Sequence, residues 1–356
     1  MTLEELGYTD EIGKFRKDHG LDGFDIGRVI SEHKERYTIR TDTGEREAEI
    51  TGTMRFTAQD REDFPAVGDW VAVMPYENDF AIINSILPRS SIIKRQAVGQ
   101  TGEVQVIATN IDFAFIVQAV DRDFNINRLE RYLTICHSSG VVPVIVLTKT
   151  DLADEIRLNG IRENIGSRIG TIAVFSISNE TQDGYAALKG FIRKGKTYCL
   201  LGSSGVGKST LINNLSGRAM MRTDSISLST NKGRHVTSHR ELIVLEDGGI
   251  LIDNPGMKEV GIGDSGDGLE VTFNEIVRLA HQCRFKDCTH VSEAGCAVRQ
   301  AVDNGELDQA DYENYMKMER EKAHYESTVQ ERRKKDKAFG KMLKNYHKDT
   351  IHHQEE

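Results

Sequence analysis

Eight consecutive residues in this chain have the types and spacing to hold a polyphosphate. Gly202, Ser203, Ser204, Gly205, Val206, Gly207, Lys208 and Ser209 fit the pattern G-x-x-x-x-G-K-[ST]. Glycines let the backbone curl so that several N–H groups point at phosphate oxygens, and a following helix adds its N-terminal dipole. Lys208 would neutralise the outer phosphates, and the Ser209 hydroxyl would ligate Mg²⁺. Both contextual requirements of the motif are met, because an apolar strand, Thr197–Leu201, precedes it and a helix-compatible stretch, Thr210–Leu215, follows it. A nucleoside triphosphate is the expected ligand, and Lys208 is the expected catalytic cation.

A second element speaks to the base. Thr148, Lys149, Thr150 and Asp151 follow the apolar strand Val141–Leu147 and match [NT]-K-x-D. One carboxylate offers two acceptor oxygens to the adjacent N1–H and N2–H₂ donors of guanine, whereas adenine lacks the 2-amino group and presents an acceptor at N1. The Lys149 stem can cover the base plane. The loop from Ser176 to Ser178, after the strand candidate Thr171–Phe175, is a second guanine-contacting candidate, with an ordinary solvated loop as the competing reading. Asp253, Asn254, Pro255 and Gly256 close the strand Ile250–Ile252 as D-x-x-G, a carboxylate that holds the hydration shell of Mg²⁺ and a glycine N–H for the γ-phosphate.

A third cluster has metal chemistry. Cys283, Cys288, His290 and Cys296 put three thiolates and an imidazole within fourteen residues, a donor set suited to one structural, tetrahedral Zn²⁺. His281 is a second candidate imidazole. The other two cysteines, Cys136 and Cys199, sit alone in apolar surroundings, so no disulfide framework is expected.

These pieces need elements to hold them. The chain has 356 residues, enough for two or three domains, and 46 basic against 55 acidic residues give a net charge of −9. That balance excludes a protein that coats nucleic acid by uniform positive charge, so any RNA contact must be a local patch. Residues 1–20 read as a charged helical lead-in. Residues 21–100 carry five strand candidates, Phe24–Ser31, Arg36–Thr41, Glu45–Phe56, Asp69–Met74 and Phe80–Leu87, which fit a β-barrel of the oligonucleotide/oligosaccharide-binding (OB) type.

Residues 101–270 alternate strands and helices around a largely parallel sheet: Phe113–Val120, then Leu129, Tyr132, Leu133 and Cys136 at helical spacing, then the strands already named and Leu242–Leu245. Residues 271–356 are helical, interrupted by the Cys/His cluster. They end in a basic run, Arg332 to Lys348, for which a solvated helix face and an RNA contact are the two readings. The N-terminus lacks an apolar core of signal-peptide length and no apolar run is long enough to span a bilayer, so a cytoplasmic location is expected.

The base loop precedes the phosphate loop, which precedes the metal carboxylate, whereas an ordinary small GTPase starts with the phosphate loop. In this order, and with Lys232 to His239 and the cluster from Cys283, the chain resembles the circularly permuted, ribosome small-subunit-dependent GTPase family of bacteria, which acts in late maturation of the 30S subunit. The resemblance covers nearly the whole chain. It implies a barrel, a permuted GTPase domain and a zinc module in that order, GTP/GDP and Mg²⁺ as ligands, and 30S-stimulated hydrolysis of GTP. It also implies 16S rRNA as partner, with no DNA, no membrane and a monomeric state.

The resemblance further favours His290 over His281 as zinc ligand. It makes Thr237 the switch threonine on Mg²⁺, with Ser238 in reserve because the family's three threonines read Val236, Thr237 and Ser238 here. Met257 follows the D-x-x-G glycine and cannot orient water as a glutamine does; the resemblance implies His235 as the water-positioning residue, with a solvated loop histidine and a water-positioning group supplied by the partner as the competing reading. Two rival functions remain at this point, a small-molecule P-loop kinase and an RNA-binding protein with a passive nucleotide site.

Overall fold

A computed structural model describes residues 1–33, 35–77, 79–96, 104–121, 124–217, 240–253 and 267–327. His235, Thr237, Ser238, Gly256 and Met257, and the basic run from Arg332, lie outside these residues.

After helix α1 (Asp10–Asp18), strands β1 (Asp25–His33), β2 (Arg36–Arg40) and β3 (Glu45–Ile50), helix α2 (Gly52–Thr57), and strands β4 (Trp70–Glu77) and β5 (Phe80–Ile86) form one unit. Each of the five strands pairs with two others in the cyclic order β1-β2-β3-β5-β4-β1, with β3 and β5 parallel and the rest antiparallel, so the sheet closes on itself. This is an OB-like barrel. Closure leaves no free edge inside the ring, and alternating residues such as Val29, Ile39, Ala48, Val71 and Ile83 fill it. The expected strand Glu45–Phe56 is shorter than its β-branched content suggested. Thr51 stops it: its hydroxyl accepts the Met54 N–H at 3.1 Å and caps α2.

A hairpin with no counterpart in the sequence reading comes next, β6 (Ile92–Gln96) paired with β7 (Val104–Thr109). Then β8 (Phe113–Ala119), α3 (Ile126–Ser138), β9 (Val142–Thr148), α4 (Glu155–Arg168), β10 (Val174–Ser176), α5 (Tyr185–Phe191), β11 (Thr197–Leu201), α6 (Lys208–Ser216), β12 (Glu241–Val244) and β13 (Ile250–Asp253) build a layered α/β unit. Its strand order is β10-β9-β8-β11-β13-β12, parallel except for β12.

The strands are apolar along both faces because both are covered. Ala114 and Ile116 of β8 face one hydrophobic cluster with Leu129 and Leu133 of α3, while Phe115 and Val117 face another with Leu188 of α5 and Leu211 of α6. All the parallel strands end toward one rim, where a doubly wound sheet places its ligand. The short helices α7 (Gly268–Thr272), α8 (Asn274–Ala280) and α9 (Ala297–Asp303) and a helix α10 over residues 309–327 complete the described chain. Phe273, Ile276, Val298 and Met318 from these helices extend the α3 cluster. No helix among the described residues is long and apolar enough to cross a membrane.

The barrel and the α/β sheet meet along β1 and β12, through the pair Ser31 and Glu241. Beside this seam lies Arg28, only 1% exposed. Its guanidinium donates to the carbonyls of Leu6, Gly68 (3.2 Å) and Asn110 (3.1 Å) and to Thr197 Oγ1 (2.9 Å). Burial pushes Arg28 down to about 10, against the pull of Asp112 and Asp69, so the group stays charged at neutral pH. A single buried cation thus ties the N-terminal segment, the barrel and the α/β sheet; its loss would take the guanidinium donors from the Leu6 and Asn110 carbonyls, while the Gly68 carbonyl would keep the Asn110 amide as donor.

Candidate nucleotide and metal sites

The phosphate loop joins β11 to α6 because its glycines adopt backbone that other residues resist. Gly202 has φ 151°, and a Cβ there would lie 2.4 Å from the Val117 carbonyl oxygen. Gly207 has φ 95° and sits directly before α6. The first N–H groups of α6 have no intrahelical acceptor, so the loop presents donors toward the carboxyl ends of the strands. Ser204 and Gly205 are exposed at the crest, Val206 is buried beneath it, and Ser209 and Thr210 are half-buried in the first turn of α6.

Lys208 folds back over this loop and donates to the Gly202 and Ser203 carbonyls at 2.8 and 2.7 Å. Burial pushes its ammonium down to about 8, opposed by the charge of Asp253. Asp253 ends β13, is 3% exposed, and so supplies a buried carboxylate next to the loop. An oxygen donor set of Ser209 and Asp253 is of the hard type that Mg²⁺ takes. Arg128, in the first turn of α3, donates to Ser203 Oγ at 3.2 Å.

The base-side residues gather at the same rim. Lys149 has φ 59°, a left-handed conformation that turns the chain sharply out of β9, and its ammonium pairs with Asp121 at 3.0 Å. Ser178 Oγ donates to Asp151 Oδ1 at 2.6 Å, which brings the two predicted base loops together. Ser176 is not part of that contact: its hydroxyl accepts from Arg162 at 3.1 Å. Thr148 Oγ1 donates to the Val206 carbonyl at 2.6 Å, so the base-side and phosphate loops touch directly.

Asn179, which the sequence reading passed over, makes a second such bridge. Its Nδ2 donates to the Gly207 carbonyl at 3.1 Å, and its Oδ1 accepts from Tyr185 OH at 2.7 Å. The signal available in the sequence was only that Asn179 follows Ser178.

In the C-terminal helices the ligand atoms of Cys283, Cys288, His290 and Cys296 lie within 4.8 Å of one another. Cys283 Sγ is 3.6 Å and Cys296 Sγ 3.5 Å from His290 Nδ1, and the two sulfurs are 3.9 Å apart. A tetrahedron with metal–sulfur bonds of about 2.3 Å has edges close to these lengths. The donors therefore fit one zinc ion. His281 is not in the cluster.

The backbone prepares this site. His290 has φ 61°, and Tyr312 of α10 donates to its carbonyl at 2.7 Å. Cys296 caps α9 by accepting the Arg299 N–H. Burial raises the Cys283 thiol, but the Ala297 and Val298 N–H groups at the start of α9, together with the neighbouring Cys288 and Cys296, outweigh it and the net direction is downward, toward thiolate.

Comparison with known proteins fits this geometry. Residues 86–263 match the model of the RsgA GTPase family. Residues 186–344 match an ABC transporter model, and the shared span holds the phosphate loop while Thr148–Asp151 lies only in the former. The chain is 43% identical over 334 residues to small ribosomal subunit biogenesis GTPase RsgA 2 of Lactiplantibacillus plantarum, covering 91% of this chain and 93% of that one. It is 41% identical to the RsgA of Opitutus terrae, over 91% and 90% of the two chains. Among solved structures it is similar to YjeQ from Thermotoga maritima (TM-score 0.61, 27% identity, covering 84% and 98%). It is equally similar to YloQ, described as a circularly permuted GTPase (TM-score 0.61, 26% identity, 86% and 97%).

Proposed function

This chain belongs to the RsgA GTPase family, and on that premise we propose that it hydrolyses GTP to GDP and phosphate on the small ribosomal subunit, in the cytoplasm, and assists that subunit's late maturation. The observation that carries the nucleotide part is the junction of two loops: Thr148 hydrogen-bonds the phosphate loop while Asp151, three residues on, is oriented by Ser178. One ligand with a guanine at one end and phosphates at the other would span both.

In this reading Asp151 selects guanine, with Thr148, Lys149, Ser176 and Ser178 shaping the base loops. The backbone from Gly202 to Thr210 cradles the phosphates, and Lys208 neutralises them. Mg²⁺, held by Ser209, Thr237 and, through water, Asp253, would offset charge that develops on the phosphate oxygens. His235 orients the attacking water, and Gly256 donates its N–H to the γ-phosphate. Cys283, Cys288, His290 and Cys296 would hold one structural zinc, which serves folding and leaves no open position for chemistry.

The relatives are named for small ribosomal subunit biogenesis. The barrel type and the basic run from Arg332 to Lys348 support 16S rRNA as the surface this chain meets. The test is GTP turnover measured alone, with purified 30S subunits and with 50S subunits. We expect stimulation by 30S alone. Equal rates in all three reactions would overturn the ribosomal part, and turnover that requires a small-molecule acceptor would favour a kinase.

A further inference from the structure

Two successive peptide units of the phosphate loop are held from behind by residues of the base-side loops. Thr148 Oγ1 donates to the Val206 carbonyl, whose peptide carries the Gly207 N–H. Asn179 Nδ2 donates to the Gly207 carbonyl, whose peptide carries the Lys208 N–H. A trans peptide is planar, with C=O and N–H pointing in opposite directions, so fixing the carbonyl fixes the N–H. That N–H is one of the unpaired donors at the start of α6, on the side where the loop presents itself to phosphate.

The Asn179 amide cannot rotate freely. Tyr185 OH donates to Asn179 Oδ1 at 2.7 Å, and Asn214 of α6 donates to Tyr185 OH at 3.0 Å and to the Asn179 carbonyl at 3.1 Å. Burial pushes the Tyr185 phenol up to about 12, so it remains a neutral donor near pH 7. With Oδ1 occupied, Nδ2 must face Gly207. The Gly207 carbonyl also accepts the Leu211 N–H at 2.9 Å, the first bond of α6. Two donors on one carbonyl polarise that peptide and strengthen its N–H as a donor. Packing is close as well: a Cβ on Gly207 would lie 2.5 Å from Asn179 Nδ2.

We propose that Asn179 is a positioning residue that locks the Gly207–Lys208 peptide, so that a β-phosphate meets a prealigned N–H, and thereby links the base-side loop to the phosphate loop. This rests on reading the two loops as one guanine nucleotide site. It assigns the Asn179 side chain to the phosphate end, although its backbone belongs to the base end.

The test is calorimetric titration of the full-length protein with GDP and with GMP, which lacks the β-phosphate, for wild type, Asn179→Ala and Asn179→Asp. Losing one positioned hydrogen bond should weaken GDP on the order of tenfold, with GMP changed less than about twofold. Asn179→Asp keeps the shape but sets an acceptor against the carbonyl, so it should bind GDP more weakly than Asn179→Ala; a space-filling role predicts the opposite order. Tyr185→Phe, which frees the amide to flip, should show a smaller GDP-selective loss and serves if either variant at 179 fails to fold. Equal weakening of GDP and GMP, or no weakening, overturns the inference while leaving the site intact. Wild-type protein that binds neither nucleotide overturns the site reading and the inference with it.

Discussion

Ser178 and Asp151, from separate loops, are joined by a 2.6 Å hydrogen bond whose direction is forced. The Ser178 oxygen already accepts from the Glu180 and Thr181 N–H groups at 3.2 and 3.1 Å, so its own proton is left for Asp151 Oδ1. The carboxylate is thereby turned in a set orientation before any base arrives.

From this follows the effect of Asp151→Asn. The change replaces one acceptor with a donor and should weaken GTP by roughly 2–4 kcal/mol, the scale of lost charge-assisted hydrogen bonds. Xanthosine triphosphate, with a carbonyl in place of the 2-amino group, should recover affinity in the variant. Titration with both nucleotides checks this, and unchanged GTP binding would remove Asp151 from base recognition.

Lys208 makes nucleotide affinity depend on pH. Burial holds its ammonium at about 8, and a polyphosphate beside it would favour the charged form. Binding above pH 8 must therefore take up a proton, and the Kd for GTP should rise about tenfold between pH 7 and pH 9. Lys208→Arg, charged throughout, should bind with no such slope from this group. A flat wild-type profile would mean that the ammonium stays charged without phosphate.

Chemistry made part of this molecule readable before its fold. Phosphate, guanine and zinc each demand fixed residue types at short spacing, which is why Gly202–Ser209, Thr148–Asp151 and Cys283–Cys296 stand out in the sequence. The apolar strands were legible because burial on both faces makes them continuous runs, although β10 begins at Val174 rather than Thr171. Arg28 and Asn179 carry no local signal. Arg28 meets Thr197 across 169 residues, and Asn179 meets Gly207 across 28, so their roles exist only once the chain is folded. The end of β3 was legible in principle, since Thr51 before Gly52 is a helix-capping pattern, but it competed with a strand-like run.

Zinc should hold the C-terminal helices together. Cys296 caps α9, and His290 is bonded to Tyr312 of α10, so the metal's ligands are also joints of the helices. Metal analysis should find one zinc per chain. Stripping it with a strong chelator, or Cys288→Ser, should lower the melting temperature and increase proteolysis after residue 270, with GTP affinity little changed. Protein purified without chelator and free of zinc would refute the metal assignment.

The last prediction concerns how α10 is held on α3. Glu130 of α3 and Asp311 of α10 share one cation, Arg168 at the end of α4, at 2.8 and 3.2 Å, and Asn314 of α10 donates to Glu130. Glu130 is almost fully buried, with a side-chain exposure of 2%. Burial pushes it up to about 8; Arg168 pulls it down and Asp311 pushes it further up. Two carboxyls facing one guanidinium are best accommodated with one proton between them, and we assign that proton to Glu130.

The unfolded carboxyl loses its proton near pH 4.5 and the folded one keeps it to about pH 8. Between these values unfolding releases a proton, so rising pH favours the unfolded state. Stability should thus fall by on the order of 1–3 kcal/mol from pH 6 to pH 8.5. Glu130→Gln, neutral at every pH and of the same shape, should lose that part of the slope and match or exceed wild type at pH 8.5. Arg131, the next residue of α3, pairs with Glu321 of α10 at 2.8 Å and is left unchanged by the substitution. Thermal melts of wild type and Glu130→Gln across that range decide the matter: parallel curves would mean that Glu130 is ionised in the fold and that Arg168 outweighs its burial.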